Sequence, residues 1–557
     1  MLASEPETLR PVSYTPASGV VAMSDQQAID YDVVVIGAGF GGMYMLYRLR
    51  QLGFTARAVE AADDVGGTWY WNRYPGARCD VESVEYSYSF DAQLQQDWVW
   101  TERYAAQPEI LRYAQHVADR FDLRRDISFM SRVDAATFDD TAATWTVDVS
   151  GQHAGTLRSR FLVSAVGCLS STNWPDIPGR DTFAGDRYHT GQWPHHEVDF
   201  TGKVVGVIGT GSSGIQSIPI IAQQAEHLYV FQRTPNYTVP AHNRPMPAEE
   251  LAELKARYDE IRAIDRTLSG GFGAQYPRGT VGAMDVSDEE RAAEYQRRWD
   301  IGGFTYLGGF TDALLSKESN FTAAEFVRGK IREIVTDPEV AALLSPDHVI
   351  ACKRLCFDTG YYETYNRPNV TLVDIHDGGI EEITPTGLRA GGADYALDAL
   401  VFATGFDAMT GTLLRMDIRG PELSLREAWS AGPRTYLGLG VHGIPNFFVI
   451  TGPGSPSVLT NMIMSIEQHV EWIGDCLAAM RAGGQQRIEA TEDAQDQWVG
   501  YVNAVADATL FPTCNSWYLG ANVPGKTRVF MPLPGLPPYR EQCDAVAANG
   551  YEGFVLA

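Results

Sequence analysis

Two glycine-rich turns carry the first legible chemistry of this 557-residue chain: Gly37-Ala38-Gly39-Phe40-Gly41-Gly42 and Gly209-Thr210-Gly211-Ser212-Ser213-Gly214. Each follows a short apolar run, Val33–Ile36 and Val204–Ile208, and so reads as a buried parallel strand turning sharply into a helix. Glycine permits the turn and lets a pyrophosphate approach the backbone, where the helix N-terminus offers free N–H groups and a partial positive charge. One such turn is weak evidence. Two, each in the same strand–turn–helix context, predict two bound dinucleotides. Beyond the first turn, Glu60 ends the next strand, where an acid accepts hydrogen bonds from an adenosine ribose. The equivalent place after the second turn holds Gln232-Arg233-Thr234, with no acid. Arginine there suits a 2′-phosphate through charge-assisted bonds. The first site is expected to take FAD or NAD and the second NADP. The plainer alternatives are a solvated acid at a strand end and an ordinary surface arginine.

The elements that position these turns predict an α/β chain with two Rossmann-like dinucleotide-binding domains and a helical insertion. Residues 1–29, rich in Ser, Pro, Ala and Glu, read as a flexible tail. Residues 30–165 form the first part of the FAD-binding domain, with strands at Trp145–Val149 and Phe161–Val166, and 166–202 are a linker. Residues 203–244 begin the NADP-binding domain, 345–392 complete it, and 393–557 return to the FAD domain. Between them, 245–344 turn helical: Leu251, Leu254, Tyr258 and Ile261 fall on one face, and Ser287–Glu290 and Thr322–Glu325 read as capping boxes.

Composition is that of a globular protein, 45% hydrophobic and 20% charged. A net charge of −26 argues against a nucleic-acid partner. No apolar stretch approaches the ~20 residues of a membrane span, and the N-terminal residues lack a signal-peptide pattern, so a cytoplasmic location is expected. The seven cysteines are scattered and form no CxxC, which predicts reduced, buried thiols rather than a disulfide, a zinc site or a dithiol centre. His195-His196 has no partner at ligand spacing, and no metal is expected.

Between the two nucleotide units runs Phe183-Ala184-Gly185-Asp186-Arg187-Tyr188-His189-Thr190-Gly191-Gln192-Trp193-Pro194. It resembles the FxGxxxHxxxW(P/D) fingerprint of type I Baeyer–Villiger monooxygenases, carried here by Phe183, Gly185, His189, Trp193 and Pro194. Gly66–Asp80, Lys353-Arg354, Gly360–Arg367, Ala403–Asp407 and Ser516–Asn522 agree, most closely with the phenylacetone and steroid monooxygenase branch. The resemblance implies an FAD-containing enzyme that uses NADPH and O2 to convert ketones to esters or lactones, through a C4a-peroxyflavin and a Criegee adduct. Carried over by position, Gly37, Gly39, Phe40, Gly42 and Glu60 would hold FAD, with Thr68, Trp69, Asp80 and Tyr86 lining the flavin. Thr210, Gly211, Ser212, Ser213, Gln216, Arg233, Thr234, Lys353 and Trp517 would contact NADPH. Arg354 matches the active-site arginine, with Asp80 as its partner. Pro456, Ser457, Val458, Leu459, Thr460 and Met462 match the loop that shapes the ketone pocket.

A fixed cation is what such chemistry needs, because it stabilises the anionic oxidant and the alkoxide in a water-poor site, and arginine stays charged when desolvated. His189 reads as a hinge residue coupling nucleotide binding to domain closure. The partners expected are a small ketone and O2; the oligomeric state is open, a monomer included. Two alternatives stand beside this reading: an N- or S-oxidising flavin monooxygenase, and a non-catalytic NADPH-binding redox sensor.

Overall fold

The computed structural model describes residues 28–521, 523–525 and 535–557. The tail expected over 1–29 lies, up to residue 27, outside these residues. The first nucleotide unit is built on a sheet ordered Asp417–Arg419, Ser131–Asp139, Thr144–Gly151, Gly155–Ser164, Tyr31–Ile36, Ala56–Val59, Ile127–Ser128, with Phe447–Val449 also pairing to Gly155–Ser164. Tyr31–Ile36 is flanked on both sides by parallel partners, Val33 opposite Phe161 and Ala56. Its last four residues are buried, as a strand covered by helices on both faces requires.

The second unit is a parallel sheet ordered Val370–Asp374, His227–Gln232, Val204–Ile208, Ala399–Phe402, Asp186–His189. Two expected boundaries move. Ala399–Phe402 was assigned to the returning FAD domain, yet it lies between Val204–Ile208 and Asp186–His189. The second nucleotide unit therefore extends past 392 to Phe402. Asp186–His189, expected in a linker, is the edge strand of the same sheet. Both are four-residue runs, too short for periodicity to say which sheet they join.

The insertion joins the two cores. Leu251, Leu254, Tyr258 and Ile261 are all buried in the apolar cluster of the first unit, although they span two helices, Ala248–Ala256 and Tyr258–Asp265. Tyr295, Ala323, Val327 and Ile331 pack into the cluster of the second. Ser287 caps Asp288–Ile301 in the expected box with Glu290. The box at Thr322 does not form, because the helix Lys317–Ile334 begins earlier, at the Ser316 cap, and Thr322 Oγ1 instead donates to Ser319 O.

The expectation of reduced thiols is overturned at one pair: Cys352 and Cys514 form a disulfide, their Cα atoms 6.3 Å apart. Spacing rules look for neighbours in sequence, and these two are separated by 162 positions. The other five cysteines are free and buried.

Candidate active site

The two glycine turns open onto a cavity of about 560 Å³ between the sheets. Gly37 has φ of +101°, and a Cβ on Gly42 would stand 1.9 Å from Gly37 O, so glycine is required for the helix Phe40–Gln51 to sit against the turn. Gly39 faces Gly67, where a Cβ would meet the Gly67 Cα at 3.3 Å. The helices Phe40–Gln51 and Ser212–Gln224 start at Gly39 and Gly211, with no side-chain cap and no acid in the first turn. Their positive ends are free for a phosphate group.

Glu60 is buried at the cavity wall. Its Oε2 accepts from Ala38 N at 2.7 Å and its Oε1 from Ala62 N at 2.8 Å. Burial pushes its carboxyl above the ordinary range, against these N–H donors. A ribose hydroxyl is the group that would use the remaining lone pairs. Thr68, Trp69, Asp80 and Tyr86 line the same cavity, and Trp69 Nε1 donates to the Tyr86 hydroxyl at 3.1 Å. These features fit FAD.

Ser212, Gln216 and Trp517 reach this cavity from the second unit. The Gln216 side chain is already engaged, accepting from the Tyr74 hydroxyl at 2.8 Å and donating to Arg78 O at 3.1 Å, and so ties the helix to the Tyr74–Arg78 loop. Thr210 Oγ1 donates to Thr234 O at 3.1 Å, and Ser213 Oγ bonds Thr190 Oγ1 at 3.1 Å. Arg233 is exposed, and neither it nor Lys353 has a carboxylate within ion-pair distance among the described residues. Burial, and then the Arg233 charge, lower the Lys353 ammonium below its usual range. Two neighbouring cations, neither in a salt bridge among the described residues, fit a phosphate monoester. That is the group that distinguishes NADP from NAD.

Arg354 stands where the large cavity meets a second one of about 260 Å³, and Asp80 lines both. Its Nε and Nη2 donate to the two Asp80 oxygens at 2.8 Å each, and its Nη1 to Val458 O at 2.6 Å. Phe304 lies under the guanidinium at 4.7 Å. Burial disfavours the charge, but Asp80 and the Tyr518 hydroxyl outweigh it and hold Arg354 above its ordinary range. The cation is permanent. Val458, Thr460 and Met462 line the large cavity and Leu459 the small one, while Pro456 and Ser457 are buried behind them. Ser457 is held at φ +42°, a strained backbone position that aims the turn and its Val458 carbonyl.

The fingerprint is architectural. Phe183 is buried in the second-sheet core, a Cβ on Gly185 would meet Asp398 O at 2.3 Å, and Trp193 packs on Tyr188 and Phe200 ahead of Pro194. His189 lines neither cavity. Its Nδ1 accepts from Gly191 N at 3.0 Å, its Nε2 lies 3.3 Å from Thr404 Oγ1, and burial lowers its pKa to about 4. Sequence reasoning missed Phe304, the Val458 carbonyl and the disulfide. Phe304 follows Gly302-Gly303 in the insertion, with no pattern to mark it. Among the described residues no His, Cys, Asp and Glu group is arranged to hold a metal, and no helix is long and apolar enough to cross a membrane.

Residues 30–246 match the Flavin-binding monooxygenase-like family. The chain is 44% identical over 533 residues to a Baeyer–Villiger monooxygenase of Pseudooceanicola batsensis, covering 94% of this chain and 96% of that one. It is 42% identical to the phenazine N-monooxygenase PhzNO1 of Lysobacter antibioticus, covering 96% and 98%. Among solved structures, an oxidised steroid monooxygenase bound to NADP superposes with a TM-score of 0.90 at 52% identity, covering 94% of this chain and 99% of that one. With these likenesses spanning nearly the whole chain, the protein belongs to the Baeyer–Villiger monooxygenases, a family of flavin-binding monooxygenases.

Proposed function

We propose that this chain is an FAD- and NADPH-dependent Baeyer–Villiger monooxygenase that inserts one oxygen atom of O2 beside a ketone carbonyl, giving an ester or lactone. The observation that carries the reading is Arg354, a permanent cation clamped by Asp80 at the junction of a dinucleotide-sized cavity and a small, largely apolar one. When bound and reduced by NADPH, the flavin supplies the activated oxygen. The residues of the chain do the rest. Three of the five Arg354 N–H groups are spent on Asp80 and Val458 O, which fixes the guanidinium plane, and the Tyr518 hydroxyl engages it as well. Its charge and remaining donor capacity are available to negative charge developing on the carbonyl oxygen. Phe304, Leu459 and Phe511 give the small cavity an apolar wall for the ketone's hydrocarbon, beside the charged Asp80, Glu82, Arg298 and Arg354. Glu60 would hold the flavin nucleotide, and Arg233 with Lys353 the NADPH phosphate.

A cytosolic location, where NADPH is supplied, is part of the proposal. The likeness to PhzNO1 favours a second reading, oxygenation of an aromatic nitrogen at the same site. One assay separates them: NADPH consumption and product identity with a panel of aliphatic, cyclic, aryl and steroidal ketones and of N-heteroarenes. Ester formation supports the first reading and N-oxide formation the second. NADPH binding without any oxygenated product would leave only a sensor.

A further inference from the structure

The disulfide joins two segments that both line the site. Cys352 immediately precedes Lys353-Arg354, and Cys514 lies just ahead of Trp517-Tyr518. Trp517 lines the larger cavity, while Tyr518 lines the smaller one and sets its hydroxyl beside the Arg354 guanidinium. Little else orders that segment. Trp517–Leu519 is one 3₁₀ turn, capped by Ser516 Oγ accepting from Tyr518 N at 3.2 Å. It sits in irregular chain between the helices Glu492–Asp507 and Leu536–Ala548. Its described long-range ties are the apolar packing of Trp517 and Tyr518 with Val458 and Cys168, the contact of Tyr518 with Arg354, and the covalent bond. The bond holds the Cys514 Cα 6.3 Å from that of Cys352, so Trp517, three residues further on, is tethered within a short reach of Lys353.

We propose that Cys352–Cys514 is a positioning device for the reaction: it holds Trp517 and Tyr518 against Lys353-Arg354, so that the oxidised protein retains NADPH and couples its oxidation to oxygenation better than the reduced protein does. This rests on the function proposed above. The bond is also a point of control. In a cytosol kept reducing by thiol systems, a disulfide is transient or responsive rather than inert. A dithiol reductant passes two electrons and two protons to the S–S bond, yielding two thiols, and leaves as its own disulfide. Cys356, close in sequence, does not compete for the bond. It is buried, its thiol lies 3.2 Å from Ser212 Oγ, and burial pushes its pKa up to about 12, so little thiolate forms.

The test uses the FAD-loaded full chain in three forms: oxidised wild type, wild type treated with dithiothreitol and then freed of it, and Cys514→Ser. Thiol titration of the denatured oxidised protein should find the five free cysteines and two more after reduction. Reduction and Cys514→Ser should each raise the KM for NADPH and the Kd for NADP+ about ten-fold, and raise the share of NADPH oxidation that ends as hydrogen peroxide. The rate of flavin reduction at saturating NADPH should change less than about two-fold. A merely structural bond would lower the melting temperature and leave KM, Kd and coupling within about two-fold of wild type; that result overturns the proposal, as does titration of all seven thiols without reductant. The NADP+ affinity is read without turnover, so it judges the disulfide even if no ketone is oxygenated, a failure that would fall on the proposed function instead.

Discussion

Replacing Arg354 by lysine keeps a positive charge and removes the fork that aims it. In the wild type, two of its N–H groups take the two oxygens of Asp80 and a third takes Val458 O. The Tyr518 hydroxyl engages the guanidinium as well, and its plane is fixed. A lysine ammonium has three donors on one rotatable nitrogen. Paired with Asp80, it cannot also hold the Val458 carbonyl and keep a donor aimed at the reacting oxygen. Loss of a donor of this kind costs about 2.7–4 kcal/mol in the oxygenation barrier, or about 10²–10³-fold in rate. Arg354→Ala should lose at least as much, and it also leaves Asp80, whose side chain is 27% exposed, without its partner. FAD content and melting temperature must therefore be checked first. Both variants should still bind FAD and be reduced by NADPH within about ten-fold of wild type, since the phosphate site at Arg233 and Lys353 is untouched. The assay is rapid mixing of the pre-reduced enzyme with O2 and a ketone, followed by ester and hydrogen peroxide quantification. Ester formation by Arg354→Lys within about ten-fold of wild type would refute the assignment of the forked cation to oxygenation.

Arg233→Ala should weaken NADPH by about ten- to a hundred-fold, the worth of a charge-assisted phosphate contact, and change NADH less than two-fold; equal losses in steady-state KM would remove the phosphate from that place. Leu459→Phe fills the small cavity and should reorder the ketones accepted while NADPH-driven flavin reduction stays within a few-fold. The carboxyls of Glu85 and of Asp265, the latter in the insertion, are buried near one another, and burial raises both, Asp265 to about 6. Asp265 Oδ2 is buried without a hydrogen-bond partner, so its charged form is poorly compensated. The contribution of Asp265 is full below about pH 4, the unfolded carboxyl range, and is lost as pH rises through about 6. Asp265→Asn, which removes the titrating carboxyl, should flatten the melting temperature between pH 5 and 8, and an unchanged slope would show that Asp265 carries no such linkage.

The parts of the site legible in the sequence are those whose function demands a local backbone. Gly37, Gly39 and Gly42 announce the first nucleotide turn because a side chain at any of them meets backbone at close range. Glu60 follows from strand length alone. Arg354 and Asp80 carry no local signal; their pairing spans 274 positions and was expected only through resemblance to a family. Ala399–Phe402 was legible as a strand but not as a member of the second sheet, since sheet membership is decided by partners far away in sequence. The Thr322 box failed for a related reason: a capping pattern inside a longer helix loses to continued backbone hydrogen bonding. Cys352 and Cys514 show the limit most clearly, because nothing in either neighbourhood points to the other.

In the proposed reaction one oxygen atom of O2 enters a ketone beside Arg354. Its most direct measurement supplies the FAD-loaded wild type with NADPH, ¹⁸O2 and a ketone drawn from the panel above, and reads the product by mass spectrometry. The prediction is an ester or lactone bearing one ¹⁸O as its new ring or chain oxygen, formed in step with NADPH oxidation. NADPH oxidation that yields hydrogen peroxide alone with every ketone, or a product whose new oxygen comes from water, would contradict it.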